Sequence, residues 1–467
     1  LCDRRQRQMC IRDSYWLMDG FNENSNEQQV QQPMGCLHRF SKTIKVVIIG
    51  LLILLLMIPM FMIENLISER GRTQEEAIDE VSEKWSLAQT ITGPYLNLQY
   101  PVVIENNGEK KVSIKDLILF PDELMVSGQL KTEILKRSIY EVNVYQSELT
   151  LKGSFSSEEL KKSRIDMEQL QFDRAAICLN LTDMRGISEQ ISITLGDSVY
   201  IFEPGMDNRG IANTGVHAIA NLSELKQNKK LPYEIKIKLK GSQSLNFIPL
   251  GKTTRVDLKA NWNTPSFTGN YLPNNRNITE KEFSAQWQVL NLNRNYSQVM
   301  ADYNTSNIKD IENSSFGVNF KIPVEQYQQS MRSAKYAILI ILLTFGVIFF
   351  TEIMNKTRIH ALQYLLVGLA LCLFYSLLLS FSEHIGFTPA YLLSSALTII
   401  LVGGYMFGIT KKKKPSLIMS GLLGILYLYI FVLIQLETFA LLAGSLGLFI
   451  ILAMVMYFSK KIDWFNE

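Results

Sequence analysis

Four histidines in 467 residues leave little material for a metal centre or an imidazole-based active site. They also stand far apart, at His38, His217, His360 and His384. The five cysteines, Cys2, Cys10, Cys36, Cys178 and Cys372, contain no CxxC pair, which removes zinc-ribbon and thioredoxin-like readings. Only Cys178 falls in the long polar middle of the chain, so that region lacks a partner for an internal disulfide. Cys36 follows "PMG" but precedes the first apolar run, whereas a lipobox cysteine follows one. Charged residues make up only 19% of the chain, and the net charge of +3 says little about partners. In an apolar chain the placement of Lys and Arg matters more than their sum. No nucleic-acid partner is expected.

Catalytic patterns are equally sparse. A Ser-His-Asp triad could be drawn around His217, yet "TGVHAIANLS" has no nucleophile elbow. Asp197, Glu203 and Asp207 sit beside Gly and Asn, where carboxylates usually form turns. "LGKTT" at 250–254 lacks the first glycine of a phosphate loop and leads into a strand pattern instead of a helix. The expectation is a protein with no catalytic residues, no metal and no cofactor.

What is present is apolar sequence, 47% hydrophobic overall and strongly segregated. A helix needs about 20 mostly apolar residues to cross hydrocarbon, and six stretches approach that: 44–63, 334–354, 361–381, 390–409, 417–434 and 439–458. The first is longer than a signal-peptide core and has no A-x-A site after it, so it reads as a retained anchor. Residues 1–43 read as a cytoplasmic leader, largely disordered and partly non-native: the chain opens on Leu1, Met18 is a plausible start, and 19–32 are rich in Asn and Gln.

Basic residues mark alternate ends of these stretches. Arg39, Lys42 and Lys45 precede the first, Lys356 and Arg358 join the second to the third, Lys411, Lys412, Lys413 and Lys414 join the fourth to the fifth, and Lys460 and Lys461 follow the sixth. The short connections 382–389 and 435–438 contain neither Lys nor Arg. By the positive-inside rule both termini, with the tail 459–467, are cytoplasmic, and residues 64–333 lie outside the membrane. No Asp, Glu, Lys or Arg occupies the centre of any stretch, which disfavours a transporter. Glu383, His384, Gln435 and Glu437 collect instead at the outer rim. There they are candidates for docking the outer domain or binding an envelope component. Gly404 and Gly408 form a GxxxG, a small-residue face read as helix packing.

The outer portion begins with a helix at about 73–91, Ala77, Ile78, Val81, Trp85 and Ala88 sharing one face. After it the period becomes two. "EIKIKLK" alternates Ile235, Ile237 and Leu239 with charge; "RVDLKANW" and "FSAQWQV" do the same with Val256, Leu258, Phe283, Ala285, Trp287 and Val289. Further strands are expected near 95–104, 139–151, 176–181, 191–195 and 199–202. Polar outer faces argue for mainly antiparallel sheets packed as a β-sandwich. The expected fold is six transmembrane α-helices, one N-terminal anchor plus a five-helix C-terminal bundle, with a large β-rich extracytoplasmic domain at 64–333.

"RIHALQYLLVGLALCLFYSLLLSFSEHIGF", "QLETFALLAGSLGLFIILAMVMYFSKKIDW", "NWNTPSFTGNYLP" and "FSAQW" resemble the CreD family of bacterial inner-membrane proteins. "PMFMIENLISERGRTQEEAIDEVSEKWSLAQTITGPYL" is similar as well. The likeness runs from about residue 44 to 464. It implies a multi-pass protein of the cell envelope, tied to envelope integrity and stress and linked to a two-component system, without supplying a reaction. The expected role is non-enzymatic: the lipid bilayer is one partner and an unknown periplasmic envelope component the other. A transporter or lipid flippase, or a sensor modulating a kinase, is the alternative.

Overall fold

A computed structural model describes residues 41–106, 109–163, 165–206, 211–227, 229–301, 305–320, 325–355, 358–436 and 439–460. Arg39, Asp207, Lys356, Glu437 and Lys461 lie outside them, as does the side chain of Lys42.

The chain enters as one helix, α1 (Ser41–Trp85), 45 residues long. At 1.5 Å per residue this is a rod of roughly 65 Å, more than twice the ~30 Å of a hydrocarbon core. An anchor at 44–63 and a separate helix at 73–91 were expected; instead the two are continuous and end at Trp85. The physical reason is that "ENLISERGR" contains no proline to stop a helix, and five of its nine residues are Glu, Leu or Arg, which favour one. Its weakest point, Gly71, costs about 1 kcal/mol relative to alanine, and a Cβ there would sit 3.9 Å from Tyr327 of α4.

Two sheets follow. In the first the strands run β13 (Ser266–Gly269), β17 (Phe316–Asn319), β11 (Ser244–Phe247), β1 (Gln89–Asn106), β5 (Ala175–Leu181), β9 (Gly215–Ala220) and β8 (Glu203–Pro204). Beside β1 lies β2 (Glu109–Leu119), which also pairs with β16 (Val299–Ala301). The second sheet runs β14 (Asn275–Ile278), β15 (Phe283–Leu290), β12 (Thr253–Ala260), β3 (Glu123–Arg137), β4 (Tyr140–Phe155), β10 (Leu231–Ser242), β6 (Ser192–Leu195) and β7 (Ser198–Ile201). Most pairings are antiparallel, but β1 with β11 and β3 with β12 are parallel, so the domain is a mixed-sheet relative of the expected sandwich.

The inner faces carry the alternating residues. Ile235, Ile237, Leu239, Val256, Leu258, Phe283, Trp287 and Val289 share one core with Leu96, Leu98, Ile177 and Leu179 of the first sheet. That sheet is covered on its other face too, by α3 (Thr305–Asn313) and the loops around Ile248 and Leu250. Consequently β5 is buried at every position and shows no alternation. A short helix, α2 (Glu158–Lys162), follows β4.

The C-terminal third is helical: α4 (Glu325–Lys335), α5 (Ala337–Asn355), α6 (Ala361–Ile385), α7 (Phe387–Thr410), α8 (Lys413–Gln435) and α9 (Ala440–Ser459). Five helices, counting α1, are long and apolar enough to cross a membrane, and Leu441–Tyr457 within α9 is apolar but shorter. The six expected spans are thus five and this one. α1 packs against α5 and α6, and α9 rests on α8. α4 is amphipathic and lies across the ends of α6, α7 and α8 that face the β domain.

The GxxxG is not a packing seam. A Cβ at Gly404 or Gly408 would meet nothing within 4 Å. Close approach occurs instead at Gly403, where a side chain would collide with Ser420, and at Gly368, where it would collide with Leu56 of α1. A stripe of small residues shows which helix face is flat; the rotation of the helix, set by its larger neighbours, decides whether that face meets anything.

Candidate functional site

The β domain meets the helices at two places, the C-terminal end of α1 and the helix α4. At its C-terminal end α1 leaves carbonyls and the following amides to be satisfied; Asp183 takes an amide and Arg185 a carbonyl. Asp183 Oδ2 accepts from Leu87 N at 3.0 Å and from Ser86 Oγ at 3.3 Å, and its Oδ1 accepts from Arg185 Nε at 2.9 Å. Arg185 Nη1 reaches back to donate to the Glu83 carbonyl at 2.6 Å, and the Lys240 ammonium lies 4.9 Å from the centre of the Trp85 ring. Higher on the same rod, Arg137 Nη2 pairs with Glu80 at 3.0 Å.

This joint is pH-dependent. Burial acts to raise the pKa of Asp183, but the hydrogen bonds from Arg185 and from the amides of Leu87 and Arg185 outweigh it and hold the carboxyl below its usual value. A depressed pKa gives stability that is fully present above the unfolded value, near pH 4, and is lost as pH falls through the folded one. Asp183→Asn is therefore expected to destabilise the protein at pH 7 and to flatten its pH dependence below about pH 4. Denaturation of both proteins across that range checks this.

The second place is the tip of the β3–β4 hairpin. Tyr140 is buried there with Tyr327 of α4 in the same apolar cluster as Ile340, Leu371, Phe374 and Leu378 of the bundle. Bracing Tyr327 from the bundle side is Glu383, near the end of α6 and 13% exposed. It accepts from Tyr327 Oη at 3.1 Å and lies 3.9 Å from Arg70 Nε of α1. Burial, and then Tyr140 and Glu383, push the Tyr327 phenol upward, so it remains a neutral donor. One carboxylate thus touches α1 and α4 from α6.

The other rim candidates do not join it. His384 is exposed on the last turn of α6 and Gln435 is exposed at the end of α8. His360 caps the opposite end of α6, its Nδ1 accepting from Leu362 N at 3.2 Å. Separated by 24 positions along α6, the two histidines stand about 36 Å apart, too far for a shared ligand. His217 bonds through Nδ1 to the Gly205 carbonyl at 2.7 Å. Among the described residues no three His, Cys, Asp or Glu side chains come together as a metal site.

At the far end of the bundle a second carboxylate does similar work. Glu352 of α5 pairs with Lys45 of α1, accepts from Ile359 N at 3.2 Å and from Tyr364 Oη of α6 at 3.1 Å, while Lys45 also donates to the Ile359 carbonyl at 3.1 Å. Sequence reading treats Lys45 only as a topology marker and passes over Glu352. The signal was there: a single acid inside an apolar run, one turn before its end. Arg358, Lys411, Lys412, Lys413, Lys414 and Lys460 all lie exposed at this same end.

Two further features escaped the sequence. A cleft of about 240 Å³ opens on the β domain, bordered by Thr92, Asn180, Thr182, Thr214, Glu312 and Ser315 and floored by apolar residues such as Ile211 and Ile248. Inside the bundle the hydroxyls of Thr344, Tyr375, Ser394 and Tyr427 are buried without hydrogen-bond partners. Neutral hydroxyls leave no mark in a search for charge.

A family model described as "Inner membrane protein CreD" matches residues 41–465. The Inner membrane protein CreD of Escherichia coli (strain K12) is 33% identical over 421 residues, a stretch covering 88% of this chain and 91% of that protein.

Proposed function

Because the chain belongs to the CreD family of inner membrane proteins, we propose that it supports cell envelope integrity without catalysing a reaction, by holding its β domain in the periplasm to bind an envelope component. Both termini then face the cytoplasm. The observation that carries this reading is the attachment of the β domain to α1 at Asp183 and to α4 at Tyr140, with Glu383 of α6 bracing the α4 side through Tyr327. A domain held at both α1 and α4 presents a fixed surface at a fixed height above the bilayer, which suits capture better than turnover. Support for the orientation comes from Lys45, Arg358, Lys411–Lys414 and Lys460, which gather at the end away from that domain. The threonine-bordered cleft is the binding surface, and His384 and Gln435 border the same side of the bilayer.

In-cell photocrosslinking tests the reading. A crosslinker at Thr182 or Thr214 captures one envelope component that a crosslinker at Lys131, on the other sheet, does not. Identical adducts from both sheets, or none from the cleft, would count against it. A transporter is the second reading, favoured by the four unpartnered hydroxyls within the bundle; it requires that Tyr375→Phe abolish function while leaving capture at the cleft intact.

A further inference from the structure

Between α5, α8 and α9 the bundle leaves a groove of about 360 Å³, walled by Leu343, Gly346 and Phe350, by Leu426, and by Ile450 and Val455. That is within the ~300–1,000 Å³ typical of small-molecule sites. The walls carry no charged side chain, and the groove lies at the depth of spanning helices, where hydrocarbon is what surrounds the protein.

Its shape is built, not left over. Tyr429 Oη donates to the Ala443 carbonyl at 3.0 Å, and Gly447 has no side chain to collide with that ring. This fastens α9 to α8 near the β-domain end and lets the groove run towards the other. Gly346 lines it on α5, yet a Cβ there would meet nothing within 4 Å. No helix contact demands a glycine at this position; its effect is to deepen the groove.

Basic residues lie beyond the last lining positions of α8 and α9. Val455 is five residues from Lys460, about 7.5 Å along the helix, and Leu422, also lining the groove, is eight from Lys414, about 12 Å. Lys413, Lys414 and Lys460 are all exposed. Basic side chains beside a gap between spanning helices recognise anionic lipid headgroups.

We propose that the groove between α5, α8 and α9 holds one acyl chain of an anionic phospholipid, drawn from the leaflet opposite the β domain, with its phosphate met by Lys413, Lys414 and Lys460. The lipid fills a gap that α9 alone cannot close and ties this peripheral helix to the bundle.

Native mass spectrometry of the full chain, released from bilayers of mixed phosphatidylglycerol and phosphatidylcholine, tests this. The wild type carries one retained phospholipid, phosphatidylglycerol in preference to phosphatidylcholine. Gly346→Leu grows into the groove and loses the adduct. The triple change Lys413→Gln, Lys414→Gln and Lys460→Gln keeps an adduct but loses the preference. Should Gly346→Leu fail to fold by thermal denaturation, Val455→Trp fills the same space from the peripheral helix. Absence of an adduct on the wild type, equal retention by a folded groove-filling variant, or an unchanged preference in the triple variant would each overturn the proposal.

Discussion

Replacing Glu352 with alanine is expected to destabilise the bundle by about 3 kcal/mol, the lower end of the range for removing one partner of a buried ion pair. The lower end applies because the Lys45 side chain is 30% exposed and can recover some hydration, whereas Glu352 is only 11% exposed. The loss exceeds one ion pair's worth because the same carboxylate also accepts from Ile359 N and Tyr364 Oη, and each is left unpartnered. Removing the lysine at the same time restores much of the loss: Lys45→Met with Glu352→Ala leaves no unpaired charge. Thermal denaturation in detergent of the wild type, both single variants and the double measures the coupling. A loss for Glu352→Ala below about 1 kcal/mol, the value of an exposed pair, would show that the carboxylate does not fasten α1 to α5 and α6.

Glu383→Ala is expected to loosen α4 specifically. A hydrogen bond to a charged group contributes about 1.5–3 kcal/mol, and Arg70, half exposed at 3.9 Å, adds little. A loss of about 2 kcal/mol corresponds to roughly 30-fold faster amide exchange if α4 opens as a local unit. Hydrogen exchange over 325–335 reads this directly. Tyr140 and the Asp183 joint still hold the domain, so the first sheet's exchange stays unchanged. Glu383→Gln keeps an acceptor for Tyr327 and gives a smaller effect. Unaltered exchange in α4 for the alanine variant would remove Glu383 from the attachment.

The readable parts of this fold were those in which one side of an element faces water. β12 and β15 alternate throughout and β10 does so as far as Gly241, and their strand assignment needed no partner. β3 alternates as well, but Gly128 interrupts its apolar series; the glycine is there because a side chain would collide with Leu149 and Leu258. β5 lost its period to burial on both faces. The length of α1 was hidden because hydropathy marks where a helix leaves the membrane, which differs from where it ends. The attachment residues were half legible. An acid at the end of an apolar run drew notice to Glu383, but Arg70 and Tyr327 meet it only through tertiary packing. His384 beside it carries the same sequence signal and stays exposed: adjacent positions on a helix point some 100° apart.

Labelling with a membrane-impermeant maleimide, in a background without native cysteines, tests the central arrangement most directly. Asn277→Cys lies on the exposed edge strand of the β domain and Lys412→Cys in the exposed connection between α7 and α8. In intact spheroplasts the cysteine at 277 should react as completely as after lysis, and the cysteine at 412 only after lysis. The reverse pattern would place the sheets in the cytoplasm and contradict the account.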